Sequence, residues 1–85
     1  MKYVVFDDKN FAIFPNYMEH STFANLEPIS AGFVKITATK DAFGMEVPVA
    51  NCYGESVSLK LKSRETEDDK ILNIGFRVRR WTLYQ

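Results

Sequence analysis

Hydrophobic and polar positions alternate with a period of two along much of this 85-residue chain. Successive side chains of a strand point to opposite faces, so this period predicts half-buried strands. Tyr3 to Phe6 and Phe11 to Phe14 are β-branched and aromatic runs on either side of Asp7-Asp8-Lys9-Asn10. Asp and Asn side chains bond nearby backbone and tolerate turn geometry, so this unit is expected to be a hairpin. Val34, Ile36 and Ala38 alternate with Lys35, Thr37 and Thr39 in a third strand, and Lys40 to Gly44 make a turn. Val47, Val49, Asn51 and Tyr53 share one face of a fourth. Pro48 lies on its other face and, lacking an N–H, argues for a sheet edge.

Two further segments alternate. Val57, Leu59 and Leu61 stand against Ser56, Ser58, Lys60 and Lys62; Leu72, Ile74, Phe76 and Val78 stand against Asn73, Gly75, Arg77 and Arg79. They predict strands over 55–62 and 72–79, the second ending or bulging at Arg80-Trp81 where the phase breaks. A helical period is confined to short stretches. Pro15 ends the second strand, Asn16 and Glu19 have capping-box spacing, and Pro28 bounds a helix over Tyr17 to Leu26 that would bury Met18, Phe23 and Leu26. One helical turn is expected at 66–70, capped by Ser63 or Thr66.

Together these elements predict a single β-rich α+β domain over residues 1–85. It would be a small antiparallel curled sheet or partial barrel of five to six strands with one short helix. Val34, Ile36, Val57, Leu59, Leu61, Leu72, Ile74 and Phe76 form the expected core.

Composition changes this picture in three ways. Hydrophobic residues make up 46% and charged ones 26%, which suits a folded chain rather than a disordered one. Seven Phe, four Tyr and one Trp exceed what so small a core can enclose, so some rings should reach the surface, either as is ordinary in small β domains or as a contact or dimer interface. Eleven basic and eleven acidic residues cancel, so the net field attracts neither nucleic acid nor anionic membrane. The apolar run Tyr3-Val4-Val5-Phe6 stops after four residues at two acids, too short for a signal peptide or a membrane span. With Cys52 as the single cysteine, a cytoplasmic location follows as the expectation.

The chemistry-bearing residues are sparse. His20 is the sole histidine and Cys52 is expected to be buried and inert, so neither a metal cluster nor a Cys-His pair is expected. Gly54-Glu55-Ser56 begins like a nucleophile elbow, but Ser58 stands where the second glycine belongs. Asp7-Asp8 and Asp68-Asp69 fall in charged stretches that should be solvated, and four scattered glycines form no phosphate loop. No enzyme activity and no cofactor are expected.

One basic set is notable. Lys60, Lys62, Arg64, Arg77, Arg79 and Arg80 fall within 21 residues and Trp81 follows them. If strands 55–62 and 72–79 paired, their polar faces would align these cations beside an aromatic platform, as in a single-stranded nucleic-acid groove. Glu65, Glu67, Asp68 and Asp69 stand close enough to neutralise them. These seven residues are therefore candidates for partner binding, with an acidic protein surface as the alternative to nucleic acid.

Several segments carry a resemblance. Phe14-Pro15, His20 with Phe23-Ala24, Pro28-Ile29-Ser30-Ala31-Gly32-Phe33, Gly54-Glu55-Ser56-Val57-Ser58-Leu59 and Lys62-Ser63-Arg64 occur in that order. Over about residues 11 to 70 the chain resembles small uncharacterised proteins of bacteriophages and prophages. The resemblance implies a phage or mobile-element context and carries over no activity and no site residues. The function expected from all of this is non-enzymatic: binding and modulating a host protein, a defence component among them. The alternatives are a small nucleic-acid-binding barrel using the basic C-terminal strand, or a virion assembly accessory. A host or phage protein is the expected partner, no membrane is, and a homodimer is compatible with the surface rings.

Overall fold

The computed structural model describes residues 1–79. Its strands are β1 (Lys2–Val5), β2 (Phe11–Phe14), β3 (Ser30–Lys40), β4 (Glu46–Tyr53), β5 (Glu55–Ser56) and β6 (Leu61–Lys62); a 3-10 helix spans His20–Leu26 and helix α1 spans Glu65–Arg79. The fold is α+β and strand-rich. A four-stranded antiparallel sheet runs in the order β2-β1-β3-β4, a two-stranded ribbon pairs β5 with β6, and no barrel closes.

The β1–β2 hairpin forms as its turn chemistry dictates. Asp7 Oδ1 accepts from the Lys9 and Asn10 amides at 2.8 and 2.9 Å, and Val5 pairs with Phe11. The third turn works alike: Asp41 Oδ1 accepts from the Phe43 and Met45 amides, and Gly44 takes a φ of 77°. Pro48 does lie in an edge strand, β4.

The sheet has two covered faces. Tyr3, Val5, Phe11, Val34, Ala50 and Cys52 point to one, where Leu72 and Phe76 of α1 complete the core. Val4, Phe14 and Ala31 point to the other, under Met18, Phe23, Leu59 and Leu61. Gly32 is required where β3 passes the end of β4, because a Cβ there would lie 2.5 Å from the Tyr53 carbonyl oxygen.

Three expectations need correction. Residues 72–79 are not a closing strand but most of α1. Among the described side chains of α1, Asp68, Leu72, Gly75 and Phe76 are the buried positions, spaced as one face of a helix, and Ile74 is turned outward at 58% exposure. Leu72 and Phe76 satisfy both periods, being four apart. The acids Glu65, Glu67 and Asp68 in the first turn complement the helix dipole and settle the choice.

Residues 55–62 are likewise no single strand. Lys60 has a φ of 55° and its amide bonds to the Val57 carbonyl, while the Ser56 hydroxyl accepts from the Leu59 amide at 3.3 Å. A serine that offers its side chain to the backbone favours a turn over a ladder. Val57 is consequently 81% exposed, and Leu59 is half-buried rather than central to the core. The proposed pairing of 55–62 with 72–79 does not exist.

The predicted helix over Tyr17–Leu26 shrinks to a seven-residue 3-10 helix with Glu19, not Asn16, at its N-cap and no side-chain cap bond. Ser21, Thr22 and Asn25 form α-helix poorly. Its buried residue is His20, and Leu26 stays exposed.

Candidate interaction surface

Two constructions around α1 decide which surfaces are free. The first is a buried polar staple. Asp68 is fully buried, and its Oδ2 accepts from the Tyr3 hydroxyl at 2.5 Å and from the Arg64 amide at 3.0 Å. Its Oδ1 accepts from the Ser30 hydroxyl at 2.9 Å and from Arg64 Nη2 at 3.1 Å. The single phenolic proton of Tyr3 goes to the carboxylate, so the Ser63 hydroxyl, 2.6 Å away, supplies the proton of the second Tyr3 contact. One carboxylate thus ties the start of α1 to β1 and β3. Asp68-Asp69 were expected to be solvated; a buried carboxylate with this many donors is the correction.

The second construction seals a sheet edge. The Ala50 amide bonds to Asn73 Oδ1 at 2.8 Å, Asn73 Nδ2 donates back to the Ala50 carbonyl, and the Cys52 amide bonds to Asp69 Oδ1 at 2.6 Å. These outward groups of β4 would otherwise be a template for another strand. Pro48, at the same parity along β4, has no N–H to offer. The helix therefore closes this edge with side chains.

Burial pushes the Tyr3 phenol and the Cys52 thiol well up from their ordinary values of 10.0 and 9.0, with the Asp68 and Asp69 carboxylates adding to it. Both folded-state values lie above the unfolded ones, so the stabilisation is whole below pH 9 and declines as pH rises beyond it. Each group that ionises only on unfolding lowers stability by about 1.4 kcal/mol per pH unit. Urea midpoints should fall from about pH 9 upward, more steeply above 10, and Cys52→Ala should delay the onset to about pH 10. A midpoint holding steady to about pH 11 would contradict the buried, neutral state of both groups.

The basic candidates are placed apart. Lys60 and Lys62 are exposed on the β5–β6 ribbon. Arg64 is occupied, with Nη1 2.9 Å from Glu67 and Nη2 3.1 Å from Asp68. Arg77 is exposed near the far end of α1, about 18 Å along the axis from the helix start at 1.5 Å per residue. The side chain of Arg79, and Arg80 and Trp81 entirely, lie outside the described residues. Because 72–79 is helical, no sheet face shared with 55–62 aligns Lys60, Lys62, Arg64 and Arg77.

His20 is buried, its Nε2 2.7 Å from the Gly32 carbonyl oxygen, with Phe14 and Phe33 edge-on to its ring. It fills a structural slot between the 3-10 helix and β3. Among the described residues, no group of three His, Cys, Asp or Glu side chains has the arrangement of a metal site. No helix among them is long and apolar enough to cross a membrane. Compared with known proteins, the chain matches no family model, no curated protein and no solved structure.

The most prominent surface feature has only a faint signature in the sequence. β1 ends its pairing at Lys2↔Phe33, and Met1 bonds to Val34, yet β3 and β4 stay paired as far as Lys40↔Glu46. Residues 35–40 and 46–51 therefore run on as a two-stranded arm, about 20 Å long at 3.4 Å per residue, flanked on its β4 side by α1 through Asn73, Phe76 and Arg77. The molecule extends 41 Å along its long axis against 24 and 19 Å. At the tip of the arm Phe43 is 90% exposed and Met45 64%. Val47 and Val49 continue an apolar strip down one face toward Tyr53, which stacks on Phe33. The signal available was Phe43 and Met45 inside a turn, where apolar side chains have nothing to pack on.

Proposed function

We propose that this chain is a non-enzymatic binding protein that engages a protein partner through the apolar tip of the β3–β4 arm. The observation that carries the reading is the pair Phe43 and Met45, exposed together at the end of the β3–β4 ribbon. Large exposed apolar side chains clustered on a protrusion mark contact sites, whereas scattered single ones do not. Aromatic residues and methionine are favoured at the centre of such interfaces. The Asp41 bonds and the left-handed Gly44 fix the tip before it meets anything, which limits the ordering cost of association. The partner we infer is a host-cell protein, bound so as to modulate it, as the phage-like pattern read from the sequence alone implies. A nucleic-acid role gains no support from the placement of Lys60, Lys62, Arg64 and Arg77.

The test is capture from a host lysate, treated with nuclease, by the wild-type chain and by the double variant Phe43→Ser, Met45→Ser. A stoichiometric partner retained by the first and lost by the second is the expected outcome. The melting temperature should be unchanged, because neither side chain is buried. Equal capture by both would move the interface elsewhere; capture abolished by nuclease would favour the basic residues instead.

A further inference from the structure

The same arm carries an unguarded sheet edge, and the geometry points to a second copy of this chain as its occupant. Ala50 and Cys52 turn their amides away from β3 toward α1, and Ala50 pairs with Ile36. In an antiparallel ladder the two members of such a pair both face outward, so Ile36, Ala38 and Lys40 present N–H and C=O on the side away from β4. Val34 has the same parity and confirms the direction, since its amide and carbonyl bond to Met1. Among the described residues, the backbones of Ile36, Ala38 and Lys40 have no partner on this side.

The contrast with β4 is informative. One edge is closed by Pro48, Asn73 and Asp69; five residues of the neighbouring strand are left open, collinear with β1. An extended, exposed row of donors and acceptors recognises another strand. A two-fold antiparallel pairing centred on Ala38 uses all three outward residues at once. It joins Ala38 to Ala38 by two bonds and Ile36 of each copy to Lys40 of the other. Pairings centred nearer to Val34 collide with Met1.

The side chains fit that register. The small Ala38 residues meet at the axis, Thr37 falls opposite Thr39, and Lys35 opposite Asp41 of the other copy, twice. Threonine pairs and opposite charges are favourable cross-strand partners. Lys35 and Lys40 form no ion pair within the chain among the described residues, and Asp41 uses only Oδ1 in its own turn. The result is an isologous dimer in which β3 joins β3 and the two tips point in opposite directions.

Sedimentation equilibrium from about 1 to about 500 µM tests this, with dissociation expected in the tens of micromolar for so small an interface. Ala38→Pro removes the two central bonds without touching the β3–β4 ladder, and should weaken the dimer about thirtyfold. Lys35→Glu sets like charges opposite each other and should weaken it at low salt, with the difference shrinking as salt rises. Lys35 is exposed, so this variant decides the matter if Ala38→Pro disturbs the fold. A wild-type chain that stays monomeric, or a dimer indifferent to both substitutions, overturns the inference. Neither result bears on the arm tip, which is probed separately by partner capture.

Discussion

Asp68→Ala is expected to cost about 3–5 kcal/mol, enough to leave much of a domain this size unfolded at 25 °C. The substitution removes the acceptor for two hydroxyls, one amide and one guanidinium at once. Tyr3 and Ser30 are themselves fully buried, so their donors cannot turn to water instead. Arg64 would keep only its contact to Glu67, which is two-thirds exposed and correspondingly weak. Asp68→Asn retains the shape and one carbonyl acceptor and should cost about 1–3 kcal/mol. Tyr3→Phe removes one donor of four and should fall at the lower end of the same range. Urea denaturation at pH 7 gives all three values. A loss below about 1 kcal/mol for Asp68→Ala would mean that α1 is held by its apolar face alone.

Leu72→Ala should be nearly as damaging, at about 2–5 kcal/mol, because the side chain is wholly buried between α1 and the sheet. The instructive comparison is with its neighbours in the alternating pattern. Ile74→Lys should change stability by no more than about 0.5 kcal/mol, since residue 74 faces solvent. Leu59→Ala, which a core strand over 55–62 would make severe, should cost about 1 kcal/mol at its half-buried turn position. If residues 72–79 were instead a strand packed by Leu72, Ile74 and Phe76, a lysine at 74 would be ruinous. Thermal melts of Leu72→Ala and Ile74→Lys separate the two structures directly.

What the sequence made legible follows from where local chemistry and tertiary packing agree. Asp7 and Asn10 write the first turn in their own side-chain bonds, and the alternation around Val34 survives because one face of β3 is buried. Pro48 marks an edge for the single reason that it has no N–H. The C-terminal helix was hidden because Leu72 and Phe76, four apart, suit a strand and a helix equally. The discriminating residues lay upstream, in an acidic first turn that looks merely solvated. Asp68 could have been flagged only by carrying the helical spacing back four residues from Leu72, which places an acid on the buried face. The arm and its open edge depend on how far β1 extends along β3. That is a matter of register between distant segments, and no local pattern records it.

The side-chain closure of β4 also bears on how a growing chain reaches this state. Cys52 waits 17 residues for Asp69, and Ala50 waits 23 for Asn73. On a ribosome adding roughly 5–20 residues per second, β4 is made roughly 1–5 seconds before the helix residues that close its outer edge. Anything that slows translation between codons 53 and 73, or strips α1 from the finished molecule, lengthens the life of that bare edge. The helix is therefore as much a shield against misassembly as a source of core.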